Sequence, residues 1–302
     1  YLPSGTLRQV ASSEKAVEPV NLADLPHKID VVFPLLHGPL GEDGTVQGFF
    51  DLLNLPYVGS GVLGSGLGMD KIVQKQLLKQ QGLPVVPFKW WLRQKIKTEQ
   101  DKVIAEIETD FTYPVFVKPA NLGSSVGINK AHNRQELKRF LQEACLYDRK
   151  IFVEQGLENV KEIEVSVLGN DEPQASVCGE IIASNEFYDY NAKYVDGKSE
   201  TIIPAKIPQD LADQIRQAAV KVFKTLDCAG LGRVDFFADV KNNKFWVNEI
   251  NTIPGFTQIS MYPKLWAASG LSYKDLITKL IELALERWED KQKNKISYEV
   301  DS

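Results

Sequence analysis

Hydrophobic and polar positions along the chain change period several times, and each change marks an element. Ile29 to Leu36 is a short, nearly unbroken apolar run, the pattern of a buried parallel strand. A glycine-rich acidic stretch, Gly38 to Gly48, leads into an apolar segment ending at Leu55. Pro56 then turns the chain into Tyr57 and Val58, so this part reads strand, loop, helix, strand. Five glycines from Gly59 to Gly68 predict a flexible loop. After it, Asp70 caps a helix carrying Ile72, Val73, Leu77 and Leu78 and stopping at Gly82. Strands are predicted at Tyr113 to Lys118 and Ile151 to Glu154, separated by a helix that Asn133 and Glu136 open in capping-box spacing.

Further on, Glu162 to Leu168, Val177 to Ile182, Leu231 to Ala238 and Lys244 to Ile250 read as strands of a largely antiparallel sheet, because hairpin-length links separate several of them. Leu211, Ile215, Ala218, Val222 and Leu226 recur at helical spacing, and Ser272 with Asp275 opens a final amphipathic helix. Segment 186–203 is polar and aromatic with no clean period, so it reads as a long mobile loop over a site. Trp90 and Trp91 read as core. The order of elements predicts a mixed α/β and α+β fold with a small α+β lobe at its centre, and the length allows two or three lobes.

Composition narrows the function classes. At 302 residues, with 43% hydrophobic and 25% charged residues, the chain matches an ordinary soluble globular protein. The formal charge of -5, with lysines scattered, offers no footprint for a nucleic-acid backbone. No apolar run approaches the roughly 20 residues of a transmembrane helix, and residues 1 to 20 lack a hydrophobic signal core. Three widely spaced cysteines, Cys145, Cys178 and Cys228, fit buried thiols in a reducing cytoplasm better than a disulfide framework or a metal site.

The strongest chemical signal is Arg233-Val234-Asp235 on one strand and Asn248-Glu249-Ile250-Asn251 on the next. Alternation places Asp235, Glu249 and Asn251 on a common face if the strands are neighbours. Two carboxylates and an amide suit magnesium bound with nucleotide phosphates. The plain alternative is a solvated acidic hairpin. Val115-Phe116-Val117-Lys118-Pro119 ends a strand, and Asn121-Leu122-Gly123-Ser124-Ser125-Val126-Gly127 follows as a small loop with backbone donors and hydroxyls able to close on phosphates. It matches neither the GxxxxGK[ST] phosphate loop nor the GxGxxG fingerprint, which argues against a nicotinamide dehydrogenase. Taken alone, the loop reads more readily as a turn, and His37 as a satisfied histidine at a strand end.

Five segments, taken in order, change that balance. His37-Gly38-Pro39-Leu40-Gly41-Glu42-Asp43-Gly44, Met69-Asp70-Lys71, Lys118 to Gly127, the aromatic run Glu186 to Tyr194, and Asn248 to Gly255 resemble the motifs of D-alanine:D-alanine ligases, which have the ATP-grasp fold. The resemblance spans His37 to Met261 and implies three lobes, 1–83, 84–160 and 161–302. It implies that Lys71 and Lys118 contact ATP phosphates, Glu154 reads the adenine end, Glu162 holds the ribose hydroxyls and Lys193 reaches the terminal phosphate. It also implies Mg2+, with Mn2+ as a substitute, on Asp235, Glu249 and Asn251. Ser125 would lie with Ser124 in the loop over the reacting phosphate, Ser124 and Tyr194 would lock the loops shut, and His37 would orient the first substrate. Arg233 and the Gly255 N–H would stabilise the oxyanion, and Ser260 with the Met261 backbone would hold the second carboxylate.

The implied reaction joins two D-alanine molecules through an acyl phosphate with release of ADP and phosphate. Tyr194 implies an amine rather than a hydroxy acid as second substrate, and the family's usual homodimer is implied as well. The chain departs from the family at its start. Nothing before Ile29 supplies the glycine-rich first βαβ unit or the glutamate that receives the first D-alanine's amino group, so the N-terminal lobe reads as incomplete and the chain as part of a longer product. A module that binds ATP without completing ligation is the alternative.

Overall fold

The computed structural model describes residues 8–9, 18–19, 21–123, 127–182 and 200–295. A two-stranded pair, β1 (Arg8–Gln9) and β2 (Glu18–Pro19), precedes a 3-10 turn over Leu22–His27. The helices α1 (Thr45–Leu52), α2 (Val62–Met69) and α3 (Lys71–Gln80) follow. A four-stranded antiparallel sheet comes next, built from β3 (Phe88–Leu92), β4 (Val115–Pro119), β5 (Asn129–Ala131) and β6 (Lys150–Gln155) in the order β3-β6-β4-β5. Helices α4 (Arg93–Thr98), α5 (Gln100–Asp110) and α6 (Arg134–Tyr147) pack against it through Ile96, Ile104, Ile107, Leu137 and Leu141.

The second sheet has five antiparallel strands in the order β11-β10-β7-β8-β9. These are β7 (Lys161–Gly169), β8 (Gln174–Ile182), β9 (Glu200–Ile202), β10 (Gly230–Asp239) and β11 (Lys244–Asn251). Period-two alternation sends Ile163, Val165, Val167, Val234 and Phe236 toward α7 (Gln209–Thr225). At the end of the chain α8 (Met261–Ala268) and α9 (Tyr273–Gln292) pack with Leu168 and Leu231.

The predicted caps are made. Asp70 accepts from the amides of Ile72 and Val73, Asn133 from Glu136 and Ser272 from Asp275. All three cysteines are free and buried.

Four expectations change. Ile29 to Leu36 is not a strand: Val32 makes one isolated parallel bridge to Tyr57, and Leu35 and Leu36 are exposed. Pro34, which has no N–H, interrupts any ladder there. Trp90 is 40% exposed whereas Trp91 is buried. β3 is a sheet edge, and alternation turns only Trp91 toward the helices. The last residues of segment 186–203 form β9, paired with β8, while 183–199 lie outside the described residues.

The glycine run is a helix, α2, rather than a loop. A Cβ at Gly64 would run into the Asp227 carbonyl oxygen, and one at Gly68 would lie 2.6 Å from the Thr252 methyl. Absence of side chains lets α2 lie directly on the turn before β10 and the end of β11, and this tertiary contact outweighs glycine's low helix propensity. Paired substitutions test the account. Gly48→Ala in α1, where a Cβ meets only a Val62 methyl at 3.8 Å, stabilises by about 1 kcal/mol. Gly64→Ala, forced onto backbone, instead destabilises by about 1–3 kcal/mol. Thermal unfolding of the two variants should move in opposite directions; a rise for both would sink the packing argument.

Candidate active site

Antiparallel pairing of β10 and β11 sets Asp235 opposite Glu249 and Arg233 opposite Asn251. A bulge between Asp235 and Phe236 lets Phe236 pair with Val247 and stay on the apolar face, while Glu249 still meets Asp235. On the other flank β7 puts Glu164 opposite Asp235 and Glu162 opposite Phe237. The polar residues of three strands therefore share the face turned away from α7.

Charge on this face is tightly compensated. The Arg233 guanidinium donates through Nε and Nη2 to the two Asp235 oxygens, both at 2.7 Å, and its Nε lies 3.1 Å from Glu164 Oε2. Burial opposes the charged form of Arg233, but Asp235, Glu164 and Glu249 outweigh it and hold the guanidinium pKa well above its ordinary value. Asn251 Nδ2 donates to Asp235 Oδ2 at 3.0 Å. Lys71, in the first turn of α3, lies 3.1 Å from Glu249 Oε2 and donates to the Leu122 carbonyl at 2.9 Å, tying the acid to the residues just after β4.

Asp235, Glu249 and Asn251 thus converge as predicted. Among the described residues no group of three or more His, Cys, Asp or Glu side chains could hold a metal ion by itself. Two carboxylates and an amide oxygen fit a hard divalent cation that completes its shell with phosphate oxygens and water.

A cleft of about 620 Å³ opens beside these strands and is lined by His37, Lys71, Arg233, Glu249, Asn251, Gly255, Ser260 and Met261. His37 Nδ1 bonds the Ile253 carbonyl at 3.0 Å, a contact that requires the proton on Nδ1 and leaves Nε2 the other ring position. Gly255 lies against Ser260, whose Oγ would be 3.0 Å from a Cβ at that position. Ser260 precedes α8 yet makes no side-chain cap; its hydroxyl is 2.9 Å from Thr257 Oγ1 and accepts from Thr257 N at 3.1 Å. The first amides of α8, at Met261, therefore lack both an intrahelical acceptor and a side-chain cap, a geometry that suits a carboxylate.

Lys118, Glu154, Glu162 and Asp235 are not part of that lining. Lys118 and Glu154 form a separate cluster on one face of the four-stranded sheet. Glu154 is 2% exposed, with Oε2 at 2.5 Å from Lys118 Nζ and Oε1 at 2.6 Å from Lys75 Nζ. Burial resists ionisation of Glu154, but the two ammonium groups outweigh it and hold the carboxyl below its usual range. Ser124, Ser125, Lys193 and Tyr194 lie outside the described residues.

Three cleft or cluster residues escaped the sequence reading, one of them Glu164, which lines the cleft and meets Arg233. Lys75 stands four residues after Lys71 and so shares its face of α3, a signal hidden by the apolar pattern around it. Glu42 also lines the cleft and accepts from Gly38 N at 2.6 Å and Ile253 N at 3.3 Å; burial pushes its carboxyl up.

Comparison with known proteins agrees with this geometry. Residues 77–282 match the family model for the D-ala D-ala ligase C-terminus, and residues 4–60 match that for the N-terminus. The D-alanine--D-alanine ligase of Acetivibrio thermocellus is 54% identical over 266 residues, covering 88% of this chain and 70% of the relative. That of Natranaerobius thermophilus is 53% identical over 271 residues, covering 90% and 74%.

Among solved structures, the D-alanine-D-alanine ligase from Coxiella burnetii superposes with a TM-score of 0.78 at 37% identity, covering 95% of this chain and 76% of that one. The VanG D-Ala:D-Ser ligase from Enterococcus faecalis gives 0.77 at 40% identity, with 85% and 73% covered. Fold, ordered motifs and identity over most of both chains agree: the chain has the ATP-grasp fold and belongs to the D-alanine–D-alanine ligase family.

Proposed function

We propose that this chain joins two D-alanine molecules into D-alanyl-D-alanine, with ATP converted to ADP and phosphate, as a step toward peptidoglycan precursors. The observation that carries the reading is the β10–β11 pair, where a half-buried Arg233 lies between acids beside a cleft ending at the open amides of α8. The first D-alanine carboxylate takes the terminal phosphoryl group, and the second D-alanine's amine attacks the acyl phosphate. Both steps raise negative charge on oxygen, which Arg233 and the Gly255 N–H stabilise in this reading. Fixed donors of this kind commonly supply the largest share of acyl-transfer catalysis.

Ser260 and the Met261 amide hold the second carboxylate, His37 orients the first substrate, and Lys71 and Lys118 bind ATP phosphates. Glu154 and Glu162 take the adenosine. Mg2+, or Mn2+ in its place, on Asp235, Glu249 and Asn251 supplies charge neutralisation at the phosphates. Ser124, Ser125, Lys193 and Tyr194 belong to the loops that close over the site and exclude water.

The three lobes 1–83, 84–160 and 161–302 are the units of this arrangement, with ATP between the last two. We further propose that the chain works in the cytoplasm as a homodimer, with neither nucleic acid nor membrane as partner. Among the described residues no helix is long and apolar enough to cross a membrane.

Phosphate release from ATP and magnesium, with D-alanine, D-serine or D-lactate offered as second substrate and products weighed by mass, tests the reading. D-alanyl-D-alanine should form fastest and only with D-alanine present. ATP binding without any ligated product would favour a nucleotide-binding module instead.

A further inference from the structure

The Lys75–Glu154–Lys118 cluster holds two ammonium groups against one carboxylate, all buried. Neutralising Glu154 needs one lysine, and desolvating a second costs stability unless it serves another purpose. The two lysines are not equivalent. Lys75 is 1% exposed and sits in the second turn of α3, with Glu154 as its partner at 2.6 Å. Lys118 is 7% exposed and sits one residue from the end of β4, with its ammonium 5.6 and 5.9 Å from the Phe116 and Phe152 ring centroids. A lysine at a strand end, on a long stem over aromatic rings, can swing; one enclosed within a helix face cannot.

We propose that Lys75 is a positioning residue that stays on Glu154 as its permanent counter-ion, so that Lys118 can leave the carboxylate and bind nucleotide phosphate. This rests on the reading of Lys118 as a phosphate ligand. The surplus positive charge of the cluster is then the charge that the phosphate neutralises. Without Lys75, departure of Lys118 would strand a bare carboxylate in the interior, so Lys118 stays and ATP binds weakly.

Calorimetric titration of the full chain with ATP in magnesium buffer, without D-alanine, tests this independently of whether ligation occurs. Lys75→Met should weaken ATP binding at least tenfold, while Lys75→Arg, which keeps the charge, should bind within threefold of the parent. The decisive variant is Lys75→Met combined with Glu154→Gln. Glutamine keeps a carbonyl acceptor for the adenine while removing the charge, which releases Lys118, so ATP affinity should recover at least threefold over Lys75→Met. Thermal stability should fall further, because Lys118 is left buried with no counter-ion.

A merely structural role for Lys75 predicts that affinity and stability move together across these variants, and that result overturns the proposal. So does unchanged ATP affinity in folded Lys75→Met. If Lys75→Met does not fold, Lys75→Gln keeps a donor to Glu154 without the charge, and the same comparisons apply to it.

Discussion

Arg233→Lys lowers kcat for ligation by about 100- to 1,000-fold, the usual cost of losing one preorganised oxyanion donor, with the KM for ATP changed by only a few fold. Lysine keeps a positive charge near Asp235 and Glu164, so the fold is not left with bare carboxylates. It loses the planar fork that meets both Asp235 oxygens at 2.7 Å and fixes the group in place. Steady-state rates together with single-turnover ADP formation check this, and a kcat within tenfold of the parent would remove Arg233 from the oxyanion role.

Glu154→Gln is expected to cost about 3–5 kcal/mol of folding stability near neutral pH, the scale for breaking a buried ion pair. Its pH dependence has a defined sign. The Glu154 carboxyl is held below its ordinary 4.5 in the folded protein, so its contribution is complete above that value and is lost as pH falls through the lowered one. The gap between parent and variant should therefore narrow in acid.

Lys75 bears on the alkaline side. Burial, with Lys118 adding to it, lowers the Lys75 pKa, so in the folded state the charged form is disfavoured and deprotonation as pH rises relieves the cost. The variant, lacking the Glu154 charge that opposes this shift, should regain part of its stability toward high pH. Urea unfolding at several pH values measures both limbs, and a gap constant into acid would refute the assignment.

Much of the fold was legible because its signals are local. Val234, Phe236 and Ala238 alternate with Arg233, Asp235 and Phe237, so both the strand and its two faces follow from period two. Asp70, Asn133 and Ser272 announce helices through hydrogen bonds to amides two or three residues away. The same locality explains the convergence of Asp235, Glu249 and Asn251, which needs only adjacent strands.

What stayed hidden depends on distant partners. Trp90 and Trp91 look alike in sequence, and only the edge position of β3 separates them. Lys75 resembles any helix-surface lysine until Glu154 arrives from the four-stranded sheet. The five glycines before Asp70 speak locally for a loop, and only the Asp227 carbonyl and Thr252 explain a helix. Roles carried by Ser124, Ser125, Lys193 and Tyr194 came from the family resemblance rather than from any local physical signal.

The contact of α2 with the turn at Asp227 bears on how this protein can be recombined. At Gly64 the approach is to backbone, and Gly230, at a φ of +70°, also lies close to Gly59, with a Cβ there 3.0 Å from the Gly59 amide nitrogen. Backbone against backbone leaves no rotamer to adjust. A chimera that exchanges residues 1–83 for those of a relative must therefore bring a matching 226–230 turn with it, and the junction between parents belongs on the far side of that pair rather than at residue 83.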